Sequence, residues 1–409
     1  MTLSLCIVTI LLLSACGTEN KSLKVPNEAE FQQDDYQKIV PSNNELAFQL
    51  LQVVEENEEG NVFISPTSLL MALAMVYNGA DGETKEEIAK VLHTTLEPKE
   101  FNQANASLMD MLYQNSDEIT LEVANSIWLN ESYQFQEKFK ENTMNYFNAK
   151  TEEIDITNPE SVNRINDWVK KVTHGKIDEI VENPLDPDLV TILINAIYFN
   201  GAWTYPFNPE LTESRTFTLE DGSKKETPFM IETRDWYYFE NETFQAIRLP
   251  YGDNQNMSMK IFLPKENSDL HEFRSILTME NWNKWNQAFN RIEGTLLLPK
   301  FQLTYETELN ETLKQLGMKS AFQKGADFTK MIQEDIPIWI SKVKQKTYID
   351  VNEKGTEAAA ATSVEIVTEM AVDQPFFMEV NRPFFITITE DITGTILFTG
   401  FITNPIIES

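Results

Sequence analysis

Cysteine is nearly absent from this 409-residue chain, whose two cysteines, Cys6 and Cys16, both lie near the N-terminus. A disulfide framework, a cysteine metal site and a cysteine nucleophile are therefore excluded for the rest of the chain. Histidine is also rare. His93, His174 and His271 are widely spaced, and we expect them at the surface or at helix ends rather than in acid–base or metal chemistry.

Positive charge is scarce as well, with 33 Lys and Arg residues against 64 Asp and Glu residues and a net charge of −31 at pH 7. Nucleic acid and anionic membrane surfaces are poor partners for such a chain, and no helix face is rich enough in Lys and Arg for a heparin-type site. The G-x-S-x-G, Walker, G-x-G-x-x-G and H-E-x-x-H motifs are all missing. We therefore predict no enzyme, no cofactor and no metal.

Long apolar runs suited to a membrane are missing too. The N-terminal run from Leu3 to Leu13 is too short to span a bilayer. It ends in Leu13-Ser14-Ala15-Cys16, which resembles the bacterial lipoprotein box. That resemblance implies cleavage before Cys16 and lipidation of Cys16. An ordinary secretory signal with a chance cysteine is the alternative.

These features predict three segments. We expect a lipoprotein signal peptide over 1–15, a flexible polar tether over 16–41 and a single folded domain over 42–409. The protein would be exported and either lipid-anchored to a bacterial cell envelope or secreted, with membrane contact only through the lipid.

Hydrophobic patterning is what the chain has in abundance. Helical patterns dominate its first half and strand patterns dominate from Thr216 onward, which favours an α+β fold. The run "NVFISPTSLLMALAMVYNGA" predicts a buried helix that begins near Ser65. The run "LVTILINAIYFNGAW" predicts a strand buried on both faces. The segments "PFFITI" and "TILFTGFI" flank Asp391–Gly394 as a hairpin.

One segment, Asn352–Val372, combines conflicting preferences. Its four successive alanines favour helix, whereas the β-branched residues that follow favour strand. Proline is absent from Glu353 to Gln374, so every backbone amide could join a sheet. Thr356, Ala358, Ala360 and Thr362 would share one face, and all are small enough to enter a packed core. An ordinary Ala-rich helix explains the alanines but not the β-branched run.

This segment resembles the hinge of the serpin family of protease inhibitors. The motifs "INDWVKKVTHGKI", "LINAIYFNGAW", "LGMKSAF", "NRPFFITI" and "ILFTGFITNP" also follow the family order, and the resemblance covers residues 42 to 405. It implies the serpin fold, with three β-sheets, eight to nine helices, an exposed reactive loop, a metastable native state and a monomer. It also implies suicide inhibition of serine proteases. A non-inhibitory binding or chaperone protein on the cell surface is the alternative.

The resemblance also assigns roles to individual residues. The reactive bond would be Glu369–Met370, with Val367 and Thr368 as alternatives, which suits a glutamate-specific or elastase-like protease. The hinge would comprise Glu353, Gly355, Thr356, Glu357, Ala358, Ala359, Ala360, Ala361 and Thr362. A polar cluster beneath the opening point of the main sheet would comprise Ser65, Ser68, Asn195 and Gln345, and Trp203 would mark where the loop first enters. Gln345 stands where the family usually has histidine, so histidine-based pH control is not expected here.

Overall fold

The computed structural model describes residues 29–113, 118–356 and 375–407. Nine α-helices lie in these ranges. They are α1 (Val40–Val53), α2 (Pro66–Gly79), α3 (Gly82–Val91), α4 (Pro98–Tyr113), α5 (Glu137–Phe147), α6 (Pro159–Val172), α7 (Leu270–Ile276), α8 (Met279–Asn286) and α9 (Asn310–Leu316). Within the described ranges, none of these helices has the length and apolar character needed to cross a bilayer.

Fifteen strands complete the described fold. They are β1 (Val62–Ile64), β2 (Ile119–Asn130), β3 (Lys150–Ile154), β4 (Thr191–Ala202), β5 (Glu213–Thr218), β6 (Lys224–Glu240), β7 (Phe244–Tyr251), β8 (Met257–Pro264), β9 (Asn290–Pro299), β10 (Phe301–Glu308), β11 (Lys342–Asn352), β12 (Gly355–Thr356), β13 (Phe376–Glu379), β14 (Phe384–Glu390) and β15 (Thr395–Ile402). Most helices precede most strands, so the α+β prediction is confirmed.

The described strands form two hydrogen-bonded sheets rather than the expected three. The six-stranded sheet has the order β10-β11-β12-β4-β2-β3, and the nine-stranded sheet has the order β1-β15-β14-β8-β7-β6-β9-β13, with β5 paired to β6. The length of β6 accounts for the difference. Its first part pairs with β5, most of it pairs with β9 and its last residues pair with β7. Strands that would otherwise form a third sheet are therefore continuous with the second.

The folded part begins earlier than predicted. We expected a flexible tether as far as residue 41, but Asp35–Lys38 forms a 3₁₀ turn and Ile39 is fully buried. Ser107 of α4 holds this turn, because its hydroxyl donates to the Gln33 carbonyl at 2.7 Å and accepts from the Tyr36 amide at 3.2 Å. Proline at position 41 does not disrupt the structure, since the first turn of a helix tolerates it, and α1 begins at Val40.

Helix α2 lies at the centre of the fold. Thirteen of its fourteen residues are buried, as expected for a helix without a polar face. Its N-terminus is fixed by Ser65, whose side chain accepts a hydrogen bond from the Ser68 amide. The helix contacts both β4 and β15, so it links the two sheets and places Ser65 and Ser68 beneath the six-stranded sheet.

Candidate functional site

Two parallel neighbours, β11 and β4, meet at the centre of the six-stranded sheet. Six residue pairs join them, from Lys342 opposite Ile192 to Thr347 opposite Ile197. Beyond Thr347 the register between them ends, and β12 lies between the two strands instead. We call this β4–β11 junction the seam. It is the place where an added strand would have to enter this sheet.

The short strand β12 already occupies one end of the seam. Gly355 pairs with Asn352 on β11 and with Ala202 on β4, while Thr356 pairs with Val351 and Gly201. Both pairings are antiparallel, and Thr356 is only 1% exposed. Two residues of the predicted hinge are therefore part of the sheet in this state, ahead of the seam's six paired positions.

A buried polar cluster closes the seam from beneath. The Gln345 amide nitrogen donates to Asn195 Oδ1 at 2.7 Å and to the Ser65 carbonyl at 2.9 Å, while its oxygen accepts from the Ser65 amide at 3.0 Å. Asn195 also donates to the Ser68 hydroxyl. All four predicted residues are therefore brought together, and each is at most 1% exposed. Because buried polar groups are costly to leave unpaired, this network favours the closed seam.

Two further members of this cluster were missed from the sequence. Asn125 of β2 accepts a hydrogen bond from Asn195 Nδ2 at 2.6 Å, and Thr347 of β11 donates to the Phe63 carbonyl at 2.5 Å. A signal for Asn125 was available, because it is a polar residue within a strand whose neighbours are nearly all buried. Thr347 gives no such signal, since threonine is common in strands.

Trp203 lies at the end of the seam that holds β12. Its indole nitrogen donates to the Asn352 carbonyl at 2.9 Å, and its backbone amide donates to the Lys354 carbonyl at 2.9 Å. Its ring stacks on Tyr251, with centroids 4.5 Å apart and planes 13° apart. The turn between β11 and β12 is thus fastened directly to the end of β4. Tyr251 was not singled out from the sequence.

Glu353, in the same turn, is held by an ion pair. Its carboxylate lies 2.8 Å from the Lys300 ammonium and accepts from the Thr212 hydroxyl at 2.8 Å. Burial opposes the charged form of Glu353, but the hydrogen bonds from Lys300, from its own backbone amide and from Thr212 outweigh burial, so its pKa is lowered. The carboxylate is therefore ionised at neutral pH and anchors the start of the hinge.

The segment that follows α6 crosses the outer face of the sheet. Lys344 and Lys346 of β11 donate to the carbonyls of Ile180 and Glu179, each at 2.8 Å. Both ammonium groups also pair with Glu306 of β10, at 3.0 and 2.8 Å. The seam is therefore covered on its outer face by this segment and on its inner face by α2, so widening it requires movement of packed structure.

The other predicted site residues lie outside the described ranges. These are the remaining hinge residues Glu357, Ala358, Ala359, Ala360, Ala361 and Thr362, the reactive-bond candidates Val367, Thr368, Glu369 and Met370, and the lipidation residue Cys16. Over the ranges that the structure does describe, no group of three or more His, Cys, Asp or Glu side chains is arranged to hold a metal ion.

Comparison with known proteins identifies the class of this fold and site. A family model described as serpin (serine protease inhibitor) matches residues 41–405. A serpin-like protein of Methanosarcina acetivorans is 34% identical over 379 residues, covering 90% of this chain and 86% of its own. Iripin-2 of Ixodes ricinus is 32% identical, covering 89% and 92%. The chain therefore belongs to the serpin family.

Solved structures agree with this assignment. The thermophilic serpin tengpin in its native state superposes with a TM-score of 0.82 at 32% identity, covering 90% of this chain and 94% of its own. Human thyroxine-binding globulin, solved with thyroxine, gives a TM-score of 0.83 at 26% identity, covering 91% and 100%. The serpin fold is confirmed. Serpins are generally protease inhibitors rather than enzymes, although the family also includes non-inhibitory proteins.

Proposed function

We propose that this protein inhibits serine proteases as a suicide substrate, by inserting its cleaved reactive loop into the seam. The observation that supports this most directly is the position of Gly355 and Thr356, which already pair with both β11 and β4. The chain pairs with the six-stranded sheet at this point, on the N-terminal side of the segment that we propose as the protease bait, residues 364–370. An inserting strand therefore needs only to extend a pairing that exists.

The observed register specifies how this extension would proceed. Val343, Gln345, Thr347, Ile349 and Val351 of β11 are buried, while the alternate residues Lys342, Lys344, Lys346 and Asp350 are only partly buried. Continuing from Thr356 opposite Val351, the small residues at 358, 360 and 362 would enter on the buried face. Residue 362 would come opposite both Gln345 and Asn195. Insertion would therefore replace the hydrogen bond that joins these two side chains.

In the proposed reaction the protease supplies the bond-breaking chemistry, and the inhibitor supplies the loop that inserts. The protease serine attacks the carbonyl carbon of the residue on the N-terminal side of the reactive bond. The amine of the next residue leaves. The loop remains joined to the enzyme as an acyl ester. The freed end then adds to the sheet as a strand. At about 3.3 Å per residue, some 14 inserted residues carry the protease roughly 45 Å. Distortion of the protease active site then stalls deacylation, because small misplacements are catalytically severe.

The composition of the bait supports a choice of target. We propose Glu369–Met370 as the reactive bond, with Val367 and Thr368 as neighbouring alternatives, and a glutamate-specific or elastase-like serine protease as the target. No Arg or Lys lies between Gly355 and Arg382, which disfavours trypsin-like targets. Mass spectrometry of the C-terminal fragment released by cleavage identifies the bond. A fragment that begins well outside residues 367–371 contradicts this assignment.

The cellular setting is proposed from the N-terminal sequence. We infer a monomer, exported from a bacterial cell, with Cys16 as the lipidated residue that anchors it to the envelope. A single acyl chain binds membranes weakly, so stable anchoring needs more than one chain or a second signal. Detergent-phase partitioning of the full chain and of a Cys16→Ser variant tests this. Equal partitioning of the two proteins into the aqueous phase contradicts lipidation.

Loop cleavage separates inhibition from the non-inhibitory alternative. The thermal midpoint is measured before and after limited cleavage of the loop by an elastase-like protease. An inserting loop adds a central strand, so we expect a large rise in the midpoint. A carrier or chaperone that does not insert its loop, which is the non-inhibitory alternative, gives a nearly unchanged midpoint. That result overturns the proposed mechanism.

A further inference from the structure

The described residues of strand β12, Gly355 and Thr356, lie between β11 and β4 and pair with both. Fixing the backbone of each residue costs roughly 1–2 kcal/mol in conformational entropy. Side-chain contacts that hold these two residues between β11 and β4 offset part of this cost.

The hydroxyl of Tyr251 provides such a contact. It lies 2.6 Å from the Thr356 hydroxyl, and the two side chains are 0% and 1% exposed. Burial strongly raises the pKa of Tyr251, so the phenol stays protonated at neutral pH and can donate. A buried hydrogen bond between two neutral groups with no access to water favours the arrangement that makes it.

The ring of Tyr251 is held by aromatic residues outside the hinge. One face stacks on Trp203, and Phe199 of β4 meets the ring edge-on, with centroids 5.0 Å apart and planes at 70°. Such aromatic contacts restrict where the hydroxyl can point. The hydroxyl is therefore presented at one position, at the level of the sheet that Thr356 occupies.

Two glycines make room for this contact. A Cβ on Gly201 would lie 2.9 Å from Tyr251 Cδ1 and 2.9 Å from Phe199 Cζ. A Cβ on Gly355 would lie 2.2 Å from the Gly201 carbonyl oxygen, and Gly355 has a φ of +151°, which favours glycine. The close approach of β12 to β4 above the tyrosine ring thus depends on residues without side chains.

We propose that Tyr251 is a positioning residue that holds Thr356 in the sheet before cleavage, so that loop insertion starts from a preformed first pair. This inference rests on the proposed inhibitory function. Forming the first residue pair of a new strand restricts the chain and costs conformational entropy before further hydrogen bonds offset that cost. Starting a strand is therefore slower than extending one. Thr356 keeps the same neighbours before and after insertion, so the contact with Tyr251 never has to break.

Loss of the contact between Tyr251 and Thr356 would affect a kinetic competition. After acylation, strand insertion competes with hydrolysis of the acyl ester by the protease. A hinge that must first re-enter the sheet inserts more slowly, and a larger fraction of inhibitor is then cleaved without trapping the enzyme. The opposite role for the contact between Tyr251 and Thr356 would be that of a latch, which holds the hinge in place and so delays insertion of the loop. Loss of a latch would lower the number of inhibitor molecules consumed per protease, whereas loss of a positioning residue raises it.

Tyr251→Phe tests the proposal because it removes one oxygen and keeps the stacked ring. We expect the number of inhibitor molecules consumed per trapped protease to rise about 3- to 10-fold, as loss of one buried hydrogen bond implies, while the rate of loop cleavage changes less than about twofold. Thr356→Val should have a similar effect. The double variant should be little worse than either single variant, since both act on one contact. The control is Tyr238→Phe, which removes a buried hydroxyl bonded to Gln245 in the other sheet and should leave the stoichiometry unchanged.

A second measurement does not depend on inhibition. Hydrogen exchange is followed in uncleaved protein for the peptide that contains residues 353–356. We expect Tyr251→Phe to exchange at least several-fold faster there than the wild type and Tyr238→Phe. If the wild type traps no protease but this difference appears, inhibition fails and the positioning role of Tyr251 stands. Unchanged exchange in Tyr251→Phe, or a lower stoichiometry of inhibition, overturns the proposal.

Discussion

Gln345 of β11 donates a hydrogen bond across the seam to Asn195 of β4, with 2.7 Å between Nε2 and Oδ1. The same nitrogen and the adjacent oxygen hold both backbone groups of Ser65, the residue that caps α2. One buried amide thus ties both strands of the seam to the helix beneath them.

Replacing Gln345 by alanine should loosen the closed seam. The substitution leaves the Ser65 backbone and Asn195 Oδ1 buried with fewer partners, so we expect the free energy of unfolding to fall by about 1–3 kcal/mol. Urea denaturation of the uncleaved protein measures this. Gln49→Ala is the matched control, because Gln49 is only half-buried and makes one long hydrogen bond of 3.5 Å to Glu45. Equal stability of both variants and the wild type contradicts a structural role for the cluster.

Replacing Gln345 by histidine should make the seam sensitive to pH. Gln345 is 1% exposed and does not titrate. A histidine there is disfavoured in its charged form by burial, so its pKa in the folded protein falls below the usual value of about 6.5. The unfolded chain then binds protons more readily, and the stability of the variant relative to wild type declines as the pH drops below about 6.5. A stability difference that is constant from pH 8 to pH 5 contradicts this prediction.

Lys300→Met should weaken the anchor of the hinge at neutral pH. We expect a loss of ~1 kcal/mol from the partly exposed ion pair with Glu353, measured by chemical denaturation at pH 7. The pKa of Glu353 is lowered from its ordinary value of 4.5. The contribution of the pair is therefore complete above pH 4.5 and is lost as the pH falls through the lowered pKa.

The pH profile supplies the check on this ion pair. The difference in stability between wild type and Lys300→Met should shrink below pH 4.5. Lys354→Met is the control, since Lys354 is exposed in the same turn, and it should have little effect at any pH. A Lys300→Met difference as large at pH 3 as at pH 7 would show that the loss arises from packing rather than from charge.

Thr356→Arg should convert the inhibitor into a substrate. Thr356 is 1% exposed between β11 and β4, so an arginine there would place an unpaired charge in the sheet at a cost of several kcal/mol. The protease should still cleave the loop but leave active. Titration of a fixed amount of protease measures the stoichiometry, with Lys354→Arg as the control at an exposed neighbour. An unchanged stoichiometry in Thr356→Arg is incompatible with loop insertion.

The sequence predicted more of the cluster than of the surrounding contacts, for a physical reason. The sequence indicates that Ser65 is a helix cap, because a proline follows it. It also marks Asn195 as a polar residue within an apolar strand. Their meeting with Gln345 followed only from the family resemblance, because three residues on different elements have no common pattern along the chain. Tyr251 and Lys300 could not be predicted at all. Each looks like an ordinary strand or loop residue until folding brings it beside the hinge.

The start of the folded part and the number of sheets were also not predictable from local sequence. Helix α1 begins at Val40 and the packed chain extends back through Ile39, because the hydroxyl of Ser107, distant in sequence, holds the preceding turn. Local polarity suggested a tether there. Similarly, the continuity of the nine-stranded sheet depends on β6 pairing with three different partners. Such long-range pairings are not encoded in the local hydrophobic period.

The most direct measurement for the whole account is the fate of a protease mixed with the intact inhibitor. The protein is incubated with an elastase-like and with a glutamate-specific serine protease, and the products are separated on denaturing gels. We predict a covalent complex that survives SDS and contains the whole protease and the cleaved inhibitor without its C-terminal fragment. If every protease cleaves the loop, is released fully active and forms no such complex, the proposed inhibitory function is wrong.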